Sequence, residues 1–196
     1  DGPGVLAVGV HQPEVLRAAV SFDAGLLSPC RYAYRLKLTS TYPASGSSSF
    51  VTGQVLITNG QQSPFGAGWD LDGLERLHFN ADGSVMLTSG GGLALVFAGG
   101  PDIFTAPPGE FSVLARNPDG TYARTLKNGT KIHFNVQGLQ TSMVDRNENT
   151  TTYAYDPLGR LTSIIDPVGL TTTLAYAGNV LRSVTDPGGR VTVFTH

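Results

Sequence analysis

Apolar and polar residues alternate in short runs along most of this chain, and clusters of Gly, Pro, Asn and Asp stand between the runs. Alternation of period two puts one set of side chains on each face of an extended strand, while the clusters supply turns. The pattern therefore predicts antiparallel β-structure throughout. The cleanest run is 31–42, where Tyr32, Tyr34, Leu36, Leu38 and Tyr42 alternate with Ala33, Arg35, Lys37, Thr39 and Thr41. A Ser- and Gly-rich loop follows over 43–49, and then a second strand over 50–58 with Val51, Val55 and Ile57 on one face. The alternation of aromatic and polar positions predicts part of a small β-sandwich over 14–62, with one face packed. Ahead of it, Val5, Leu6, Val8 and Val10 make a short apolar strand in a linker over 1–13, suited to adding to a sheet edge.

Residues 63–110 read as a junction followed by the first hairpins. In Ser63-Pro64-Phe65-Gly66-Ala67-Gly68-Trp69, two glycines and a proline impose irregular backbone around the chain's one Trp. The simplest role for that ring is to plug the seam between the modules, because Trp buries a large area. Asp82-Gly83 turns one hairpin and Gly90-Gly91-Gly92 the next, and 99–109 reads as a longer loop. Pro118-Asp119-Gly120 is a turn, and Lys127-Asn128-Gly129-Thr130 is the strongest hairpin signal, with Asn-Gly suited to a type I′ turn.

Over 111–196 the pattern repeats. Asp145, Asp166 and Asp186 recur about every 20 residues, a repeat-architecture period. Behind them, in register, come Tyr153, Leu174 and Phe194, and then Tyr155, Tyr176 and His196. Ile132 and Phe134 occupy the same two columns one period earlier. In each unit two runs, such as 160–165 and 170–176, flank a turn such as Asp166-Pro167-Val168-Gly169. Asp caps the turn, Pro presets φ, and Gly takes the position where a side chain would clash. One unit is thus one β-hairpin. Leu170, Thr172, Leu174 and Tyr176 share the face expected to pack, and Thr171, Thr173 and Ala175 share the other.

Tyr155-Asp156-Pro157-Leu158-Gly159-Arg160-Leu161 resembles the YD signature of the RHS/YD-repeat proteins, and the resemblance extends from about Ser63 to the end. Gly159, Gly169, Asp186 and Gly189 fall on its structural positions. The 14–62 module resembles the fibronectin-type module that often precedes such repeats. What the resemblance implies is an all-β, non-enzymatic hairpin meander from the N-terminal part of a repeat shell. In full-length relatives that sheet closes into a hollow shell, enclosing a toxin in bacteria or supporting adhesion in teneurins. The implied location is extracellular or cell-surface and bacterial, and the implied partner is the remainder of a larger RHS polypeptide.

Composition narrows the chemistry. Net charge is −2 with the 13 Lys and Arg scattered, so nothing favours nucleic acid. No apolar stretch approaches the roughly 20 residues of a membrane span. Asp1-Gly2-Pro3-Gly4 offers neither an initiator Met nor a signal layout, so the chain reads as a piece of something longer. His11, His78, His133 and His196 lack ligand spacing, and His133 falls opposite Ile132 and Phe134. Asp145, Asn147, Asn149 and Asp156 mimic a calcium loop, yet Thr150 stands where Gly belongs and Asp156 where Glu does. A repeat turn explains them better, and no metal or cofactor is expected. Asp166-Pro167-Val168-Gly169-Leu170 faintly resembles the self-cleavage element of RHS shells, but nothing nearby orients the aspartate. Lone Cys30 reads as structural, and Arg160, Arg182 and Arg190 as rim residues.

Two further roles follow from the pattern. A sheet cut at both ends recruits strands from other copies, through the Val5 to Val10 run at one end and Val191 and Val193 at the other, building a filament. Alternatively, tyrosine and threonine columns exposed in a row would bind a cell-surface glycan.

Overall fold

The computed structural model describes residues 20–43 and 45–195, and these contain strands and turns but no helix. Val5, Leu6, Val8, Val10 and His11, most of the 14–22 stretch, and His196 lie outside the described residues.

Cys30–Tyr42 (β1) and Ser45–Ile57 (β2) form one hairpin in continuous register from Cys30↔Ile57 to Tyr42↔Ser45. Residues 45–49 therefore extend the strand rather than form a loop. Backbone pairing needs no apolar side chain, so the register set nearer the base continues through the serines. The two strands are a sheet by themselves. Among the described residues, the expected partial sandwich is thus a single hairpin without a second layer. Its apolar face follows the sequence pattern, with Tyr34, Leu36, Leu38, Val51 and Val55 between 37% and 52% exposed. Arg35 and Lys37 share the opposite face, the Arg35 guanidinium lying 4.9 Å from the Phe50 ring centroid. The base is tied down by Asn80, whose Oδ1 accepts from Cys30 Sγ at 2.7 Å and Arg31 N at 2.8 Å, and by an Arg31–Asp82 ion pair.

Glu75–Phe79 (β3), Val85–Ser89 (β4) and Ala94–Phe97 (β5) make a three-stranded sheet. Ten strands then pair in strict chain order: Ile103–Phe104 (β6), Val113–Arg116 (β7), Tyr122–Thr125 (β8), Lys131–Phe134 (β9), Gln140–Val144 (β10), Thr150–Tyr155 (β11), Leu161–Ile165 (β12), Thr171–Ala177 (β13), Val180–Thr185 (β14) and Val191–Val193 (β15). Strand β6 lies inside the stretch expected as a loop. It forms because Phe104 is buried opposite Leu114.

A single turn design joins most of these strands. At Asn80, Ser89, Asn117, Leu126, Asn135, Asp145, Asp156, Asp166 and Asp186, the first residue's carbonyl accepts from the N–H three positions on. Its own N–H donates to the carbonyl four positions on. With positive φ at the fourth residue, this is a type I turn closed by a left-handed residue. Asn128-Gly129 follows the same design: only Gly129 has positive φ, at 88°, whereas type I′ needs both central residues there. Glycine fills the left-handed position everywhere except at Glu148, with φ 66°, where a side chain costs about 1–2 kcal/mol. The tight Gly178-Asn179 turn between β13 and β14 differs, being of type II′ with φ 59° at Gly178.

The three-stranded sheet and the junction lie over one face of the ten-stranded sheet. Leu77, Val85, Leu87 and Phe97 from the cover meet Phe104, Leu114, Ile132 and Phe134 from the meander. Farther along, Phe65, Leu71 and Leu74 pack against Leu161, Leu174 and Leu181. The layers are stitched by Leu77 N to Gly138 O at 2.9 Å, by Leu181 N to Pro64 O at 2.7 Å, and by paired bonds between Ala98 and Thr105. The uncovered face carries Thr171, Thr173 and Ala175 in water, as the alternation requires, while Leu170 beside its turn is also exposed.

Candidate functional site

The repeat residues interlock. The Oδ1 atoms of Asp145, Asp156, Asp166 and Asp186 each accept two backbone N–H groups, two and four residues ahead, at 2.7–3.0 Å. The Asn149 side-chain amide, donating to Asp145 Oδ2 at 2.8 Å, and the backbone N–H groups of Arg160 and Arg190 on Asp156 and Asp186 lead in holding those three carboxyls below the usual carboxylate range. Arg160 does more than decorate a rim. Its Nε donates to Asp156 Oδ2 at 2.7 Å, it reaches the Gly178 carbonyl, and its guanidinium lies 4.7 Å from the Tyr176 ring centroid. Tyr176 in turn donates its hydroxyl to Leu161 O at 2.8 Å, and Tyr155 makes the equivalent bond to Gln140 O at 2.8 Å. Burial pushes Tyr176 up to about 12 and raises Tyr155 as well. Tyr155 and Tyr176 thus each button together the two strands of their own hairpin at the end away from its turn. Arg190 repeats the clamp on Asp186, whereas Arg182 donates to Phe194 O at 2.9 Å.

This interlocking bears on three expectations. The calcium candidates divide between opposite ends of β11: Asp145, Asn147 and Asn149 form the turn before it, and Asp156 begins the turn after it. Six residues of strand keep these oxygens from one ion. Tyr153, Tyr155 and Tyr176 pack against the second core rather than standing exposed in a row. Asp166 caps a regular hairpin turn, with both bonds from its Oδ1 spent on Val168 N and Leu170 N.

The junction differs from expectation. Gly66 is buried and Phe65 half-buried against the second core, so Phe65, not Trp69, closes the seam; Trp69 is 66% exposed. Gly66 and Gly68 adopt φ of 121° and 78° to turn the chain. A second feature has no local signal in the sequence. Arg124, 4% exposed, stands in the apolar column opposite Leu114 and Ile132. It pairs with Glu75 on the cover and, at 3.5 Å, with Glu110, and its Nε donates to Ser112 Oγ at 2.9 Å. Glu75 is 49 positions away in the chain, so only the packing of the two layers reveals the pair.

His78 on β3 is half-buried with Nε2 2.9 Å from Thr88 Oγ1, and burial pushes its pKa down to about 4, with Arg76 adding to the effect. A histidine depressed in the fold favours folding fully above its ordinary 6.5 and loses that contribution as pH falls towards 4. Thermal scans from pH 7 to 4 should show a loss reaching about 3 kcal/mol, and His78→Gln, which can still bond Thr88, should flatten that window.

The geometry defines a class, an all-β protein of serially buttoned hairpins under a covering layer. More narrowly, the chain carries the RHS repeat, since the family profile described as RHS Repeat matches residues 134–172, from the end of β9 into β13. No curated protein matches the chain.

Proposed function

We propose that this chain is a length of wall from a larger extracellular or cell-surface RHS-repeat shell, with a structural and non-enzymatic role and with the remainder of that polypeptide as its partner. The observation that carries this reading is the asymmetry of the ten-stranded sheet. Its β6 end is closed by the Ala98–Thr105 bridge to the cover, while among the described residues β15 pairs with β14 alone. The Asp186–Arg190 and Arg182–Phe194 bonds fix which groups of β15 face inward, so the N–H and C=O of Val191 and Val193 point away from the sheet. A further hairpin of the same period would pair there, extending the wall around a cargo.

The same open edge favours a second reading, in which β15 accepts a strand from another copy and builds a filament. Both readings require an edge competent for pairing. Proline at Val193 removes an outward N–H without touching the bonds to β14. Light scattering across a concentration series should show association of the native chain and a monomer for Val193→Pro. Equal association of the two chains would eliminate β15 as the joining edge.

A further inference from the structure

A cleft of about 570 Å³ opens between the junction and the rim of the three-stranded sheet, and neither the repeat nor the core accounts for it. On one wall stands Trp69. Burying such a ring against the adjacent core would stabilise the fold by at least about 2–3 kcal/mol, yet the chain holds it in water. The backbone that does so is well fixed. Gly68 N donates to Gly60 O and Trp69 N to Gly66 O, each at 2.9 Å, through two glycines at positive φ. Trp69 is therefore presented, not left over.

The rest of the lining selects the class of ligand. Ser63, Gln62 and Thr88 offer neutral groups that donate and accept, while Tyr155 gives the wall an aromatic surface. His78 adds an imidazole that is uncharged at neutral pH. Arg76 lines the same cleft, is exposed, and makes no ion pair among the described residues; of the two carboxylates in the lining, Glu75 is held by Arg124, and Asp70 accepts from Leu71 N at 2.8 Å. A lipid chain would leave these polar groups unpaired. Nucleic acid would need more than one free cation along its backbone path. A pyranose ring meets every requirement: a C–H face for the indole, a rim of hydroxyls for the neutral groups, and a cleft within the usual size of small-molecule sites.

We propose that this cleft binds a short oligosaccharide, one pyranose stacking on Trp69 and a uronic-acid carboxylate pairing with Arg76. The proposal stands apart from the shell reading, because a wall segment needs no ligand. Trp69 is the chain's one tryptophan, so its emission reports on the cleft directly. Titrating the whole chain with trigalacturonate should change that emission saturably, whereas cellotriose should bind about tenfold more weakly. By calorimetry, Trp69→Ala should lose trigalacturonate binding, and Arg76→Gln should weaken trigalacturonate to the level of cellotriose. Both variants should keep the native melting temperature, since both side chains are exposed. No saturable change with either sugar up to about 10 mM, or undiminished binding by Trp69→Ala, overturns the proposal. Equal affinity for the two sugars overturns the role given to Arg76.

Discussion

Replacing Gly138 by alanine loosens the two layers of this protein and costs about 3–5 kcal/mol in urea unfolding. Gly138 closes the turn between β9 and β10 with φ 78°, and there the cover lies directly on it. A Cβ would collide with the Leu77 carbonyl oxygen and meet Leu77 Cβ at 3.0 Å, on the strand whose N–H bonds Gly138 O. Neither backbone can yield without parting the sheets. Gly169 supplies the control: it has the same place in the same turn and φ of 87°, with nothing within 4 Å of an added Cβ. Gly169→Ala should cost only the conformational strain, about 1–2 kcal/mol. Equal losses at the two glycines would mean that the layers do not bear on each other at Gly138.

Arg124→Leu should cost a similar amount, about 3–5 kcal/mol, because it strands the buried carboxylate of Glu75. Glu75 already has one orphan, since its Oε2 is buried without a partner, as is Nε2 of Gln140 beside it. Burial raises the Glu75 pKa and Arg124 works against that rise. An acid whose folded pKa is raised favours folding most below its ordinary 4.5, and that contribution fades as pH climbs through the folded value. Removing Arg124 enlarges the effect, so the variant's deficit should shrink between pH 7 and pH 4. Adding Glu75→Gln to Arg124→Leu should recover most of the loss at pH 7. A deficit that is flat with pH and untouched by Glu75→Gln would place the damage in packing alone.

What the sequence makes legible is what repeats locally. Each turn is closed by bonds among five consecutive residues, so Asp166-Pro167-Val168-Gly169 announces itself, and the alternation in 171–177 survives intact as the faces of β13. The turn at Asn128-Gly129 shows the limit of a dipeptide signal, because the flanking residues pair as a three-residue loop and only the glycine needs positive φ. Contacts between layers leave no such trace. Leu77 against Gly138 and Arg124 against Glu75 join residues far apart in the chain, and no periodicity encodes them. Trp69 inverts the ordinary expectation for its type because Phe65, four positions earlier, already fills the seam. The 31–42 run shows a face prepared for packing, but alternation does not say what covers it.

If the hairpin wall continues past β15, hydrogen exchange at the Val191 and Val193 amides will report it. Because His196 stands in the column of Tyr176, a second copy of residues 177–196 appended to the chain preserves the register. In the native chain, measured dilute enough to be monomeric, both amides should exchange freely while Thr192 and Phe194 are protected by β14. In the extended chain, Val191 and Val193 should become protected as well. Fast exchange at both positions in the extended chain would mean that no further hairpin pairs with β15.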